Sequence, residues 1–317
     1  AIGAAIYEEM ERDESVLMWG VGVSASGATW GEAAGLEKFG ERVKGTPIVE
    51  QAVLGSGMGA ALTGSRPIVN MGTAGFMMCA AEGMLFEVGG LREEFGYTGP
   101  MPLVIFCRIG VGAGFGGHHT ASTEAYVMHS PGLKVAVPSN PYDAKGLLKT
   151  AIRDDGPVVF MTTGSFGFTV KQEIPAEEYL IPFGQADIKR EGSDITIVAW
   201  ASIMPKVLAA AEELGKQGIS VEVVDPRTLV PLDIKSIVKS VEKTGRLLIA
   251  HDAMKRGGAA GEIAFRVAEE APDVWQKLKN PMRRIAAKNV ALPRSRELEL
   301  QLIPNVEDIV ATVKDMV

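Results

Sequence analysis

The sequence predicts an α/β fold of two domains, each a mainly parallel sheet flanked by helices. Three observations lead there. Short continuous apolar runs alternate with helical patterns through the first half, as expected of strands buried on both faces. That rhythm stops between residues 162 and 191, where Gly, Pro and paired acids scatter. A second, cleaner alternation then runs to the C-terminus. A length of 317 residues also suggests about two domains.

Residues 2–12 have amphipathic helical spacing, and 16–21 form an apolar run read as a buried strand. Residues 30–39 read as a helix. Thr46-Pro47-Ile48 must be extended, because a residue before proline avoids the helical region. Residues 50–62 read as a helix despite their glycines, 67–71 as a strand and 76–88 as a helix. A strand at 102–109 (PLVIFCRI) leads into a glycine-rich loop at 110–119. A short helix at 124–129, a strand at 133–138, a helix at 141–153 and a strand at 157–161 close the first series. In the second series the strands are expected at 195–200, 221–224, 247–250 and 282–287. Its helices are expected at 204–217, 234–243, 261–270 and 306–316. The domains are placed at 1–175 and 192–317, with a linker at 176–191.

Hydrophobic residues make up 46% and charged residues 22%, which suits a globular chain with a sizeable core. A net charge of -7 without a basic run argues against nucleic acid as a partner. Cys79 and Cys107 both sit in apolar context, so a reducing compartment is expected rather than a disulfide framework. No long uncharged apolar stretch predicts a membrane span, and no signal peptide is visible. The expected location is the cytoplasm, or the mitochondrial matrix if a transit segment has been removed.

In open α/β sheets ligands sit at the carboxyl ends of strands, which points to 46–50, 71–76 and 110–119. Glu50 has apolar neighbours in Ile48, Val49, Ala52, Val53 and Leu54. Burial there disfavours its charged form, whereas its place at a helix start favours it. The plainer reading is a first-turn Glu that satisfies free helix amides. Gly55, Gly59 and Thr63 recur every four residues, a spacing that lets helix backbones approach closely, inside the subunit or between subunits. The loop GVGAGFGG at 110–117 lacks the Lys-Ser/Thr of a phosphate-binding loop. Its end, His118-His119, suits general acid–base work better than metal binding, since adjacent residues rarely converge on one ion. Surface histidines without a role are the alternative.

Together these segments resemble the beta subunit of the thiamine-diphosphate-dependent first component of 2-oxo acid dehydrogenase complexes, a group that includes acetoin dehydrogenase beta subunits and is transketolase-like. The likeness is carried by TPIVE at 46–50, by Glu50-x4-Gly55-x3-Gly59 and by GSRPI at 64–68. HSPGLKVAVPSNPYDAKGLLKTAIRD at 129–154, DPRTLVPLD at 225–233 and KTGRLLIAHDA at 243–253 carry it further. It implies a pyrimidine-binding-type domain followed by a transketolase C-terminal-like domain. Glu50 matches the glutamate that hydrogen-bonds the N1′ nitrogen of the aminopyrimidine, so that the 4′ nitrogen can take the proton from thiazolium C2. Phe76 matches the aromatic against that ring, Ile48 a residue lining the pocket, and His119 the histidine near the reacting centre. The His118-His119 pair is where substrate discrimination is expected. Leu103, Ala151, Asp154 and Gly156 match positions that hold a structural potassium ion in some members.

The resemblance also implies partners. The family holds the diphosphate and its magnesium with a Gly-Asp-Gly…Asn motif on an alpha subunit, and no Gly-Asp-Gly occurs in this sequence. An alpha subunit, a second beta subunit and a lipoyl-bearing acyltransferase are therefore expected. Departures from the pattern include Val21-Gly22 in place of two acids and His118-His119-Thr120-Ala121 in place of Gln-His-Ser-Gln. Glu82-Gly83, the segment 89–99 and Met161-Thr162-Thr163-Gly164 also depart. Most lie near the substrate or the partner, not at Glu50. The competing readings are half of a split transketolase-like enzyme, a non-catalytic scaffold of the same fold, and, more distantly, a nicotinamide dehydrogenase.

Overall fold

The computed structural model describes residues 1–23, 32–163 and 170–317. Twelve strands are named here in chain order: β1 Val16–Gly20, β2 Val43–Gly45, β3 Arg66–Thr73, β4 Val104–Ile109, β5 Lys134–Ala136, β6 Val158–Thr163, β7 Asp187–Arg190, β8 Ile195–Ala199, β9 Val221–Asp225, β10 Thr228–Val230, β11 Leu247–Met254 and β12 Arg283–Ala287. They form a seven-stranded sheet, β10-β5-β6-β4-β3-β1-β2, and a five-stranded sheet, β12-β11-β8-β9-β7. Both are parallel except at one edge, where β10 runs antiparallel to β5 and β7 antiparallel to β9. The central strands β4 and β8 are buried along their whole length, which is why their sequences are apolar but for Arg108 and Thr196.

One face of the first sheet packs on helices Ile2–Arg12 and Pro141–Arg153. The second sheet covers one face with helices Met204–Gly215 and Val306–Lys314. The remaining faces share a single core that runs from Val69 and Ile105 to Val198 and Ile249. The domains are thus joined by apolar packing rather than strung on a linker. Local signals set the helix limits. Asn140 caps Pro141–Arg153 by accepting from the Asp143 amide at 2.9 Å, with Pro141 in the first turn. Asp233 does the same for Ile234–Thr244, which ends on left-handed Gly245. Proline at the start and glycine past the end is the usual asymmetry of helix termini.

Several expectations are corrected. In place of a helix at 30–39 there are turns and a 3-10 helix, Glu37–Arg42, with 30 and 31 outside the described residues. The helix expected at 76–88 is broken into Ala74–Met77, a 3-10 turn at Met78–Ala80, a π-helical segment at Gly83–Val88 and Gly89–Phe95. Its glycines are there for close approaches: a Cβ on Gly75 would overlap the His118 backbone, and one on Gly89 the Ser130 hydroxyl at 2.5 Å. Strand β7 lies inside the stretch expected to be linker. Strand β10, from the second half of the chain, completes the first sheet, so the sheets do not follow the division at 176–191. Both strands are short edges with little apolar pattern. Among the described residues no single helix is long and apolar enough to cross a membrane.

Helix Glu50–Leu62 turns its glycines in two directions. Gly57 faces inward, where a Cβ would stand 2.6 Å from a Val69 methyl and 3.0 Å from one of Leu103. Gly55 and Gly59 face open space, with nothing within 4 Å of an added Cβ. Among the described residues nothing therefore packs on Gly55 or Gly59 closely enough to require glycine. Gly57→Ala should destabilise the isolated chain, since overpacking of about 1–3 kcal/mol exceeds a helix-propensity gain of about 1 kcal/mol. Gly55→Ala should stabilise it by about 0.5–1 kcal/mol. Denaturant unfolding of the two variants checks the contrast, and equal effects would contradict it.

A buried cluster sits where the domains meet. Trp200 Nε1 donates to Glu124 Oε1 at 3.3 Å, and the ring of His251 stacks on Trp200 at 5.2 Å. Burial, reinforced by Asp252, pushes the Glu124 carboxyl up to about 7. Burial pulls the His251 imidazole down to about 4, against the pull of Asp252. The two act oppositely on stability. The folded protein keeps the Glu124 proton where the unfolded chain has lost it, so stability falls as pH rises from 4.5 to about 7. It releases the His251 proton where the unfolded chain keeps it, so stability falls as pH drops from 6.5 to about 4. Glu124→Gln removes the first effect. Its melting temperature should therefore gain on the wild type between about pH 5 and about pH 8. A constant difference across that range would mean that Glu124 is ionised throughout.

Candidate active site

The carboxyl ends of β2, β3 and β4 carry the residues singled out by the sequence. Glu50 is the first residue of its helix and is 7% exposed. The preceding Val49 provides no side-chain cap. Glu50 has no hydrogen-bond or ion-pair partner among the described residues, so it does not satisfy the helix amides. Its surroundings are apolar on one side only: Val53 and Leu54 are buried, whereas Ile48 is 73% and Val49 48% exposed. The pocket expected around Glu50 is thus half built, and its open half is greasy.

Phe76 lies on the short helix Ala74–Met77 that follows β3. His118 and His119 lie on Gly117–Thr120, at the end of the glycine loop after β4. The two segments are pressed together. Gly75 meets the His118 backbone, and the Thr73 hydroxyl donates to the His118 carbonyl at 2.7 Å. Phe76 is consequently held between both imidazoles, stacked with His118 at 5.7 Å and edge-on to His119 at 4.9 Å. The Nδ1 atom of His119 is buried without a protein partner. A cleft of about 390 Å³ opens there, lined by Phe76, Phe115, His118, His119, Leu292 and Arg294. Both histidines thus belong to one aromatic cluster on a concave surface. Phe115, inside the glycine loop, was open to notice in the sequence. Leu292 and Arg294 arrive from the far end of the chain and carried no local signal.

Burial holds the Arg108 guanidinium on β4 below its usual range, against the pull of a buried ion pair with Glu32. A larger cavity of about 580 Å³ lies at the domain junction, lined among others by Glu32, Ser139, Thr163, Ser202, Lys206 and Asp252. Among the described residues no three His, Cys, Asp or Glu side chains gather as a metal site.

Leu103, Ala151, Asp154 and Gly156 come together at the other end of the sheet, beside the amino ends of β4 and β6. Oxygens of Leu103, Ala151 and Asp154 already have donors. The Leu103 carbonyl accepts from Val158 N at 2.8 Å, and that of Asp154 from Arg66 Nη1 at 3.1 Å. The Asp154 carboxylate accepts from Lys134 Nζ at 2.6 Å and from Gly156 N at 2.7 Å.

Comparison with known proteins accords with this layout. Residues 1–165 match the transketolase pyrimidine binding domain and residues 184–309 the transketolase C-terminal domain. The "2-oxoisovalerate dehydrogenase subunit beta" of Bacillus subtilis is 39% identical over 319 residues, covering 100% of this chain and 97% of that protein. The "Pyruvate dehydrogenase E1 component subunit beta" of the same organism is 39% identical over 316 residues, covering 99% and 96%. That of Staphylococcus epidermidis is 38% identical with the same coverage. A solved structure described as "Split gene transketolase, inactive beta4 tetramer" superposes with a TM-score of 0.80 at 24% identity, over 99% of this chain and 96% of that one, and so shares the fold. With both domains matched in order and the likeness running end to end, the chain belongs to the family of beta subunits of thiamine-diphosphate-dependent 2-oxo acid dehydrogenases.

Proposed function

We propose that this chain supplies half of a thiamine diphosphate site, completed by an alpha subunit. The assembled enzyme cleaves the C–C bond next to a carbonyl in a 2-oxo acid or an acyloin such as acetoin and transfers the acyl group. The observation that carries this reading is Glu50, a buried carboxylate with no partner among the described residues. Burying a charge alone is costly, and the ring nitrogen of an aminopyrimidine is a partner that removes the cost.

The residues present fit the cofactor: a carboxyl for its N1′, an aromatic face at Phe76, and a histidine with an orphaned buried nitrogen at His119. Thiamine diphosphate bound there would supply a carbanion able to attack the substrate carbonyl. Glu50 holds and exchanges the proton at N1′. Phe76 packs against the ring, and exposed Ile48 gains cover from it. His119 handles a proton at the reacting centre, and His118 meets the part of the substrate that differs between relatives. Magnesium and the diphosphate fall to the alpha subunit, and a lipoyl-bearing acyltransferase is the expected acceptor. The outward Gly55 and Gly59 face suits close packing against a second beta subunit.

Calorimetry with thiamine diphosphate and magnesium tests the division of labour. No binding to this chain alone and binding after mixing with an alpha chain are expected. Tight binding to the chain alone would end the split-site reading. In the assembled enzyme Glu50→Ala should cut turnover with pyruvate or 2-oxoisovalerate by on the order of 10²–10⁴-fold, the usual worth of a positioned acid–base group. Substantial residual turnover would remove Glu50 from the mechanism. Activity with ketose phosphates in place of 2-oxo acids would move the chain to the split transketolase reading.

Potassium enters the proposal as an ion at Leu103, Ala151, Asp154 and Gly156. Each carbonyl there that accepts one hydrogen bond keeps a second lone pair. A melting temperature that rises in potassium but not in sodium at equal ionic strength is the expected result. Equal curves would leave Lys134 and Arg66 as the cations of that corner.

A further inference from the structure

The glycine loop that ends in His118 and His119 is braced from the other domain by one buried carboxylate. Glu299 sits on the short helix Arg296–Leu300 and is fully buried. One of its oxygens accepts the Gly114 N–H and the other the Thr120 hydroxyl. That hydroxyl also lies 3.0 Å from the Gly116 carbonyl, which accepts the His119 N–H at 3.0 Å. The carboxylate therefore grips the loop in its middle and at the residue after His119.

The loop cannot hold this shape by itself. Gly110, Gly112, Gly114 and Gly116 all have positive φ, from 126° to 79°, and four such glycines carry a large conformational entropy when free. The segment bearing Glu299 lies flat on them. A Cβ on Gly112 would stand 3.1 Å from Leu300, one on Gly114 2.8 Å from Arg296, and one on Gly116 3.2 Å from Arg294. Arg296 Nε also donates to the Gly112 carbonyl at 3.3 Å. Glycine at these positions thus lets the second domain reach the loop backbone, and Glu299 supplies two hydrogen bonds of the charge-assisted, stronger kind.

We infer that Glu299 is a positioning residue for the reaction: by binding Gly114 and Thr120 it sets the place of His119 in the cleft. The inference rests on the role proposed for His119. Glu299 lies on another domain from Glu50 and Phe76, so it governs the histidine without governing the cofactor's ring.

The test uses the assembled alpha–beta enzyme with pyruvate, 2-oxoisovalerate and acetoin, and the variants Glu299→Gln, Thr120→Val, Thr120→Ser and His119→Ala. Glu222→Gln serves as control, since Glu222 is an equally buried acid of the second domain that binds Lys243 and Gly192 rather than the loop. Glu299→Gln turns one acceptor into a donor facing the loop. It should lower kcat on the order of 10–100-fold, the scale of a misplaced group, and alter the pH profile of kcat/KM, with thiamine diphosphate affinity unchanged. Thr120→Val should follow it, and Thr120→Ser, which keeps the hydroxyl, should restore turnover. Wild-type kcat in Glu299→Gln, or a loss that merely tracks melting temperature as in Glu222→Gln, would overturn the inference while His119→Ala stays impaired. An active His119→Ala enzyme would instead overturn the role of His119, and this inference with it.

Discussion

The wall of the candidate site and the brace under its histidine loop depend on how the second domain is docked on the first, and a buried charge cluster fixes that docking. Asp143 is completely buried in helix Pro141–Arg153. It accepts from Arg227 at 2.9 and 2.6 Å and from Lys189, both brought by the second half of the chain. Lys189 also lies near Asp225, whose buried carboxyl is pushed up to about 6 and takes the Ser139 hydroxyl. Such a cluster adds little net stability compared with apolar packing, yet removal of one member strands the others and costs about 3–5 kcal/mol. Its value is in direction. Apolar packing tolerates sliding, whereas a forked guanidinium on one carboxylate does not. Strand β10 follows Arg227 immediately, so the same contact also sets the edge of the first sheet.

With the docking set, the site becomes a meeting of three loops from one sheet and one segment from elsewhere. The first sheet supplies Glu50, Phe76 and the histidines from neighbouring strand ends, as parallel sheets do. The second domain supplies the wall, through Leu292 and Arg294, and the brace under the loop. A division of this kind explains why so much glycine is concentrated between residues 55 and 117. Some of it is spent on contact within the chain, at Gly57, Gly75 and Gly89, and some faces outward, at Gly55 and Gly59.

The sequence was most legible where physics is local. Helix Pro141–Arg153 carries its start signals locally, in Asn140 and Pro141, and its limits, like those of Glu50–Leu62, agree with expectation to the residue. The segments that hold Glu50, Phe76 and the two histidines follow from strand ends, which can be read along the chain, whereas the roles expected of these residues come from the family resemblance. What was not legible is what depends on distant partners. Strands β7 and β10 are three or four residues of mixed polarity and exist as strands only because another strand accepts them. The helical pattern at 76–88 was real, but its path is bent by the need to pass Gly75 under His118 and Gly89 under Ser130. Glu299 reaches the loop from 179 and 185 residues away, and Arg294 comes from the same distant segment, a separation on which spacing is silent.

Helix Glu50–Leu62 has one glycine turned inward and two turned outward, with the unpartnered carboxylate at its head. Its two faces therefore tolerate change differently. The inward face is limited by Val69 and Leu103, so a side chain added at Gly57 must be matched by a smaller one across the same core. The outward face, at Gly55 and Gly59, meets nothing among the described residues, so the fold of the chain by itself sets no limit on side-chain size there. Drift along the inner face is thus a record of the core, and drift along the outer strip a record of what the surroundings of the chain permit.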